Sequence, residues 1–393
     1  MSKHEVVVVG GGYAGVMAAN RLTQRDDVKV TVINPRRAFV PRLRLHQLVA
    51  ETHEATVDFK DILADGVELV VDSVTRIDAA ERTVVLAGGR GVGYDHLIYA
   101  VGSGSATPQV PGAAEFAYPI ATSEAARRLR SVLLDTPATA AVTVIGGGPT
   151  GVETAAELAE QGRAVTLICG DVLVPYLHPK ARRTARKNLA GLGVTVIEGN
   201  AVTAVTRETV QLADGRTLAG DVTIWTAGFG VPDLAARSGL STDTAGRLLA
   251  DETLTSIDDE RIVAAGDASA PSDVPFRMSA YVAYCLGAHA ADTVLHRIAG
   301  EQPTPIDLAF PAMCLSFGRA AAIYQLGHKN ETGMRLYFGG AVGRKLKEIA
   351  CEAGIKHLAA EARKPGSHHW FKDGKHRPAL LLAKRGDTVV PVG

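Results

Sequence analysis

The sequence is poor in cysteine, and its few cysteines lack the spacing that cysteine chemistry needs. The four cysteines stand at positions 169, 285, 314 and 351 and include no C-x-x-C pair. This spacing supports neither a redox dithiol nor a clustered zinc site, and we expect no metal centre. A chain without a disulfide framework fits a reducing compartment, so we expect a cytoplasmic protein.

An excess of charge of either sign is also missing. The 393 residues include 42 Lys and Arg and 42 Asp and Glu, and this balance makes no case for a nucleic-acid partner. The charge is uneven along the chain, because residues 340–393 carry eleven basic and five acidic residues. The C-terminal part is therefore basic and the rest of the chain is correspondingly acidic.

Long hydrophobic runs are absent as well. The longest uncharged stretches, around residues 6–20 and 138–152, are interrupted by glycine triplets and fall short of the ~20 apolar residues that a membrane-spanning helix needs. The apolar run near the N-terminus breaks at once into Gly-Gly-Gly, which argues against a secretory signal. We expect no segment that spans a bilayer.

Glycine is abundant, with 41 residues, and six of these form two copies of one pattern. "VVVVGGGYAG" and "VTVIGGGPTG" each place G-x-G-x-x-G after an apolar run typical of a strand in a parallel sheet. The motif glycines are Gly10, Gly12 and Gly15 in the first copy and Gly146, Gly148 and Gly151 in the second. In such a motif the first glycine makes a tight turn, the second lets the backbone approach a diphosphate, and the third lets helix and strand pack closely. The sequence therefore predicts two dinucleotide sites, each with the diphosphate at a helix N-terminus.

Two dinucleotide sites in one chain indicate that electrons pass between two cofactors. The usual pair is a nicotinamide that donates hydride to a flavin. A second interpretation stays open at this point, in which one copy is a relic of duplication and binds nothing.

Five motifs in one order carry a resemblance to a known family. They are "VVVVGGGYAG", "YDHLIYAVGS" with Val101 where the family has threonine, "VIGGGPTGVETAAEL", "VTIWTAGF" and "RIVAAGDAS". Over about residues 5–300 the chain resembles the pyridine nucleotide-disulfide oxidoreductase superfamily. Within that superfamily it most resembles type II NADH dehydrogenases and related FAD-dependent NAD(P)H oxidoreductases.

The resemblance implies an α/β fold with two Rossmann-like dinucleotide-binding domains. The FAD-binding domain would comprise residues 1–112 and 233–308, split by an inserted NAD(P)H-binding domain at residues 113–232. Residues 309–393 would form a small C-terminal α+β domain with a role at an interface, at the acceptor or at a membrane surface.

The implied activity is hydride transfer from NADH or NADPH to FAD, followed by transfer of two electrons to a quinone or similar flat organic acceptor. FAD is thus the expected cofactor, and NAD(P)H and the acceptor are the expected partners. Three alternatives stay open: a soluble biosynthetic flavin oxidoreductase that acts on a small metabolite, a ferredoxin-type reductase, and a flavin-binding redox sensor with little turnover.

The resemblance also assigns cofactor contacts, residue by residue. They fall mainly on the two glycine loops, on the ends of the strands that follow these loops and on the later motifs. The assigned contacts are Gly10, Gly12, Tyr13, Ala14, Gly15, Asn34, Arg42, Val74, Ala100, Gly102, Gly266, Asp267, Gly146, Gly148, Pro149, Thr150, Gly151, Asp171 and Gly228.

Three of these contacts carry a stated alternative. Asn34 stands where the family usually has a carboxylate for the adenosine ribose; asparagine can accept one hydrogen bond and donate another, and a plain turn residue is the alternative. Asp267 matches the aspartate that binds the ribityl and phosphate region of the flavin, although strand-Gly-Asp is also a common cap or turn. In "FVPRLRLHQLVA" we choose Arg42 as the FAD contact ahead of Arg44 and His46.

Glu153 and Tyr281 are the candidate catalytic residues. Glu153 lies in the first turn of the second glycine helix, where type II NADH dehydrogenases have a carboxylate near the flavin and the nicotinamide; stabilising the helix dipole is the alternative role. Tyr281 and Tyr284 lie where that family carries A-Q-x-A-x-Q-Q near the quinone. Tyrosines can stack on a flat acceptor, but a packed aromatic stripe gives the same pattern, so quinone specificity stays open.

The second glycine copy bears on the choice between NADH and NADPH. Cys169 occupies the strand end where NADH-binding members commonly place an acid for the ribose 2′-hydroxyl, and no arginine stands beside it to hold a 2′-phosphate. Asp171, two residues later, could supply the carboxylate. The pattern therefore favours NADH without excluding NADPH.

"GRKLKEIACEAGIKHLAAEA" predicts a basic C-terminal helix at residues 343–362. Its expected apolar face, with lysines on the other faces, comprises Leu346, Ile349, Ala350, Ala353 and Leu358. C-terminal amphipathic helices attach type II NADH dehydrogenases to membranes, and a basic one would favour anionic lipid at the inner face of the plasma membrane. Packing on its own body, or on a second subunit in a homodimer, is the alternative that the alanine-rich face favours.

Overall fold

A computed structural model describes residues 3–329 and 331–387 of the chain. Its first half is built on a five-stranded parallel sheet in which four consecutive valines, Val6–Val9, are at most 4% exposed. Burial on both faces explains this unbroken apolar run. In sheet order the strands are Ile262–Ala264, His96–Tyr99, His4–Val9, Val28–Asn34 and Glu68–Val71.

A second five-stranded parallel sheet repeats this arrangement. In each sheet the central strand runs through a glycine loop into a helix, Tyr13–Leu22 in the first and Pro149–Glu160 in the second. The strands of the second sheet, in order, are Ala117–Pro119, Val222–Trp225, Ala141–Ile145, Ala164–Ile168 and Thr195–Ile197. The predicted pair of Rossmann-like units in a mixed α/β chain is confirmed.

The repeat extends beyond the glycine loops. Each parallel sheet is accompanied by a three-stranded antiparallel sheet. The strands of these two smaller sheets are Val74–Asp78, Thr83–Leu86 and Gly91–Gly93, and Val202–Val205, Thr209–Leu212 and Thr217–Ala219. Short two-stranded pairs join Ala38–Phe39 to Val57–Asp58, Gly104–Ser105 to Phe229–Gly230, and Leu248–Ala250 to Ser269–Pro271.

The first sheet takes its edge strand, Ile262–Ala264, from beyond the second sheet in the chain. The long helix Ala280–Ile298 then packs on the helix Tyr13–Leu22. Gly287 permits this close approach, because a Cβ there would lie 2.2 Å from the carbonyl oxygen of Ala14. The segment 233–308 thus rejoins the N-terminal sheet, while the exact domain bounds stay a prediction. The other helices before residue 309 are Arg42–Arg44, Leu45–Val49, Phe59–Asp61, Ala113–Phe116, Ser123–Asp135, Pro179–Gly191, Leu234–Arg237 and Gly266–Ala268.

The C-terminal region adds a three-stranded antiparallel sheet and two helices. The strands are Ala312–Phe317, Ala321–Gly327 and Gly333–Phe338, and the helices are Gly340–Arg363 and His376–Asp387. The C-terminal helix, as we call Gly340–Arg363, packs on this sheet and on the helix Tyr13–Leu22. It therefore packs on the body of its own chain.

The expected apolar face of the C-terminal helix is wrong in part. Leu358 is buried, but Ile349 is 54% exposed and Lys347, expected on a solvent face, is buried. The buried residues are Gly343, Lys347, Cys351, Gly354, Leu358 and Glu361. Close backbone approach decides the orientation, because a Cβ on Gly343 would lie 2.3 Å from the carbonyl oxygen of Ala322.

None of the helices among residues 3–329 and 331–387 combines the length and the apolar character that crossing a bilayer requires.

Candidate functional site

The first glycine loop has the shape of a diphosphate cradle. A Cβ on Gly10 would lie 2.3 Å from the carbonyl oxygen of Ala100, and one on Gly15 would lie 1.8 Å from that of Gly10. Only glycine fits at these two positions. Around Gly12, by contrast, a Cβ would meet no protein atom within 4 Å, and no side chain caps the helix that begins at Tyr13. The helix N-terminus therefore faces an open space suited to an anion.

Asn34 is fastened to the first glycine loop. The Gly11 amide donates to Asn34 Oδ1 at 3.0 Å, and Asn34 Nδ2 donates to the Arg36 carbonyl at 2.8 Å. The amide group is thus fixed beside the loop, and Oδ1 keeps a second lone pair for a hydroxyl. The predicted ribose contact stays a prediction, with the asparagine held in place for it.

Asp267 and Arg42 meet at the carboxyl edge of the first sheet. Arg42 Nη1 donates to Ser103 Oγ at 2.8 Å, and that hydroxyl donates to Asp267 Oδ2 at 2.6 Å. Burial raises the pKa of Asp267, while the Ser103 hydrogen bond and Arg42 act to lower it. A partly buried carboxylate and guanidinium at the carboxyl edge of a parallel sheet can bind the hydroxyl and phosphate groups of a dinucleotide.

The neighbouring basic residues point elsewhere. Arg44 Nη1 donates to Gln47 Oε1 at 3.0 Å and to Glu348 at 3.1 Å, whereas His46 Nδ1 lies 3.7 Å from Glu153. Of the three residues weighed in this segment, Arg42 alone contacts Ser103 and lies near Asp267.

The second glycine loop repeats the geometry of the first. A Cβ on Gly146 would lie 2.4 Å from Thr226 Oγ1, and one on Gly151 would lie 1.9 Å from the Gly146 carbonyl oxygen. Gly148 again borders space that is free of protein atoms within 4 Å. Pro149 and Thr150 then open the helix, with proline at a position where no amide is needed. The loop can therefore cradle a second diphosphate.

Cys169 packs beside the second glycine loop in the same position that Asn34 occupies beside the first. A Cβ on Gly147 would lie 2.6 Å from Cys169 Sγ, just as one on Gly11 would lie 2.9 Å from Asn34 Cγ. Burial raises the pKa of Cys169 to about 12, so the thiol is neutral. Asp171 is exposed on the following loop, where it can reach a bound nucleotide only from the solvent side.

A buried ion pair joins the second glycine helix to the C-terminal helix. Lys347 Nζ lies 2.5 Å from Glu153 Oε1, and the amide and hydroxyl of Ser316 donate to the same oxygen at 2.9 and 3.1 Å. Burial acts to raise the pKa of Glu153, but Lys347, His46 and the Ser316 amide together lower it. Burial lowers the pKa of His46 to about 4, so its imidazole is neutral at pH 7.

A cavity of about 600 Å³ borders this ion pair. Gln47, Ser316 and Lys347 line its polar side, and Val342 and Ile349 belong to its apolar wall. The cavity thus offers apolar surface for a flat molecule next to a carboxylate, an ammonium and a hydroxyl.

Tyr281 lies in an aromatic cluster. Its ring packs edge-on against Tyr284 at 5.5 Å and against Phe310 at 6.1 Å between centroids. It is not among the residues that line the 600 Å³ cavity. Val74 begins an antiparallel strand, and Gly102, Gly228 and Gly266 all adopt positive φ at turns.

Lys347, Ser316 and Ser103 were missed by reasoning from the sequence. Lys347 had one usable signal, since Gly343 and Gly354 lie four residues before it and seven after it and mark the close-packed face of the helix. Ser103 closes the motif "YDHLIYAVGS", which was the signal available for it, whereas Ser316 carries no distinguishing pattern.

Comparison with known proteins identifies one family of oxidoreductases. A family model described as pyridine nucleotide-disulphide oxidoreductase matches residues 4–286. An NADH dehydrogenase-like protein of Mycobacterium tuberculosis is 31% identical over 356 residues, covering 82% of this chain and 88% of that protein. A type II NADH:quinone oxidoreductase of the same species is 27% identical over 373 residues, covering 83% and 80%.

A solved structure extends the likeness to the whole fold. NDH2 from Plasmodium falciparum in complex with NADH superposes with a TM-score of 0.78 at 16% sequence identity, covering 93% of this chain and 99% of that chain. At this identity the likeness concerns the fold, including the C-terminal region that the family model does not match.

Proposed function

The chain belongs to the pyridine nucleotide-disulphide oxidoreductase family, and we propose that it passes electrons from NAD(P)H through bound FAD to a quinone-like acceptor. When bound, FAD supplies the redox chemistry, accepting hydride from the nicotinamide and releasing two electrons. The work of the protein is then to place donor, flavin and acceptor in line and to handle protons.

We assign FAD to the first cradle. The residues there fit the group, since the loop around Gly12 is open toward an uncapped helix N-terminus. Asn34 is held for the ribose, and Asp267, Ser103 and Arg42 are joined by hydrogen bonds at the same sheet edge. These groups would hold the diphosphate, the adenosine ribose and the ribityl chain.

One observation carries the proposal. The helix Pro149–Glu160 begins at the second cradle, and Glu153 lies in its second turn, not in the first turn that the sequence led us to expect. The partners of Glu153, Ser316 and Lys347, line the 600 Å³ cavity. The NAD(P)H site and the acceptor cavity therefore share one rigid element. A donor nucleotide would then bind on one side of the start of this helix and an acceptor on the other. This arrangement fits an enzyme that relays electrons between the two.

We assign the acceptor to the cavity and proton handling to Glu153. Lys347 keeps Glu153 ionised, so this carboxylate can take a proton and return it, while neutral His46 lies 3.7 Å away as a further hydrogen-bonding group. Reduction of a quinone to a hydroquinone consumes protons, which Glu153 can deliver through its partners Ser316 and Lys347 at the cavity wall. The apolar wall around Val342 suits the ring of such an acceptor.

Anaerobic mixing of the purified yellow protein with NADH and with NADPH tests the proposal. We expect the flavin absorbance to bleach with at least one nucleotide, faster with NADH. Flavin that stays oxidised with both would overturn the proposed function and favour a redox sensor. After bleaching, comparison of a menaquinone analogue, oxygen and a ferredoxin as oxidants identifies the class of acceptor.

A further inference from the structure

Glu157 carries a buried carboxyl group of which only one oxygen accepts a hydrogen bond from a described residue. Its residue is 1% exposed. Oε2 accepts a hydrogen bond from Thr52 Oγ1 at 3.1 Å, whereas Oε1 has no hydrogen-bond partner among the described residues. The nearest cation, Arg319, lies 3.8 Å away with its side chain 46% exposed. A buried carboxyl with half of its hydrogen-bonding capacity unused needs an explanation.

Glu157 lies one helical turn beyond Glu153. At four residues' separation on the helix Pro149–Glu160 the two side chains are neighbours, with Cβ atoms roughly 5–6 Å apart. The environments of Glu153 and Glu157 shift the pKa values of the two carboxyl groups in opposite directions. Burial raises the pKa of Glu157, which Arg319 and Thr52 offset only in part, while Lys347 overcomes the same effect of burial at Glu153. Two adjacent carboxyls with opposite shifts form an acid and base pair.

Thr52 connects this pair to solvent. Its residue is exposed and its hydroxyl contacts the buried Oε2 of Glu157. A hydroxyl can donate one hydrogen bond and accept another, so it can pass a proton along a chain of such groups. Arg319 contacts Glu157 from the side and also lines the acceptor cavity.

The net reaction requires such a path. NAD(P)H supplies a hydride, which is two electrons and one proton, whereas a quinone needs two electrons and two protons. The balanced equation is NAD(P)H + quinone + H⁺ → NAD(P)⁺ + hydroquinone. One proton must therefore come from solvent in every turnover, and Glu153, to which we assign its delivery, is itself buried together with Lys347 and His46.

We propose that Glu157 is the proton-entry residue of this enzyme, receiving a proton from solvent through Thr52 and passing it by side-chain rotation to Glu153 and the acceptor cavity. This inference rests on the proposed function, because it assumes an acceptor that takes up protons. Glu157 is a relay residue, acting on the acceptor through Glu153.

The charged groups that act on Glu157 come from two elements. Arg319 approaches from the turn after the strand Ala312–Phe317. Glu153 and Glu160 lie on its own helix and both act to raise its pKa. The adjacent strands "AVTVI" and "AVTLI" carry no ionisable residue. Arg319 is therefore the only one of these neighbours that draws Glu157 toward ionisation.

The test compares two acceptors in the flavin-loaded enzyme. Menadione takes up protons on reduction, whereas ferricyanide takes electrons alone. In Glu157→Gln we expect turnover with menadione to fall on the order of 100-fold, the scale of general acid catalysis, with ferricyanide turnover within about twofold of wild type. Thr52→Val should show the same selective loss to a smaller degree. Glu208→Gln, an exposed carboxylate outside the lining of the cavity, is the matched control and should leave both rates unchanged.

The outcomes separate the two proposals. A wild-type enzyme that reduces ferricyanide but no quinone contradicts the proposed function. If wild type reduces menadione and Glu157→Gln does so equally well, or loses both acceptors in parallel, Glu157 has only a structural role. Infrared spectroscopy gives a readout apart from turnover. A carboxylic-acid band that persists to higher pH than that of an ordinary glutamic acid, as the raised pKa of Glu157 predicts, should be weaker in Glu157→Gln than in wild type and in Glu208→Gln.

Discussion

The ammonium of Lys347 lies 2.5 Å from Oε1 of Glu153, and each side chain is less than a tenth exposed. The pair joins the C-terminal helix to the helix that begins at the second glycine loop. Both charged groups are removed from water, so the cost of burying each one is offset by its attraction to the other. The pair thereby attaches the C-terminal region to the second glycine helix, next to the cavity where we place the acceptor.

Replacing Lys347 with Met should unbalance the pair. The substitution leaves the Glu153 carboxylate buried without its cation, a loss of about 3–5 kcal/mol of unfolding free energy. Denaturant unfolding at pH 7 measures it. Lys345→Met, on the exposed side of the same helix, should change stability by less than about 0.5 kcal/mol. A double variant with Glu153→Gln should recover part of the loss, and no recovery would contradict the pairing.

Stability should depend on pH through Glu153. Its pKa is lowered below the ordinary value of 4.5 by Lys347 against the effect of burial. A lowered pKa in the folded state contributes stability that is fully present above about pH 4.5 and is lost as the pH falls through the folded value. The difference in unfolding free energy between wild type and Glu153→Gln should therefore shrink below pH 4.5. A difference that is constant from pH 7 to pH 3 would be inconsistent with this.

Substitutions at Gly12 and Gly148 allow the two cofactor sites to be tested independently. Gly12→Ala and Gly148→Ala each place a methyl group in a cradle without touching the protein. The first should yield protein with reduced flavin content, and the second should retain flavin but bind NAD(P)H about tenfold more weakly, or ~1.4 kcal/mol. Flavin absorbance and nucleotide titration measure the two effects. Gly191→Ala, also without near neighbours, is the control, and loss of both cofactors in either variant would refute the assignment.

An acid at the second ribose position should sharpen nucleotide choice. Cys169→Asp restores the carboxylate at the strand end that contacts Gly147, where it can bind a 2′-hydroxyl and repel a 2′-phosphate. We expect the ratio of kcat/KM for NADH over NADPH to rise about tenfold, worth ~1.4 kcal/mol. Cys169→Ser tests for an effect of polarity alone. An unchanged ratio in the Asp variant would mean that the ribose lies away from Cys169.

The parallel sheets and glycine loops could be predicted because their signals are local. Four valines before Gly10 specify a strand buried on both faces, and the spacing to Gly15 specifies the turn and the packing of the helix. Asp267 and Arg42 were each assigned to FAD through the family resemblance, and only the structure brings the two side chains together. Within one short segment, Arg42, Arg44 and His46 turn to three different partners, which no local pattern distinguishes.

The Lys347 pair could not be predicted because its partner is distant in sequence and its helix orients by glycine packing. A moment based on side-chain hydrophobicity places Ile349 inside, yet the contact of Gly343 with the Ala322 carbonyl turns Lys347 inward instead. The cost of burying an ammonium is offset only once Glu153 is in place, so the residue looks solvent-facing in the sequence alone.

The central claim is that electrons pass from NAD(P)H through the flavin to a quinone. The most direct test reduces the enzyme anaerobically with one equivalent of NADH, removes free nucleotide and mixes it rapidly with a menaquinone analogue. We expect the oxidised flavin spectrum to return within the turnover time and one hydroquinone to form per flavin. A flavin that remains reduced in the presence of quinone, and is reoxidised only by oxygen or a ferredoxin, would contradict it.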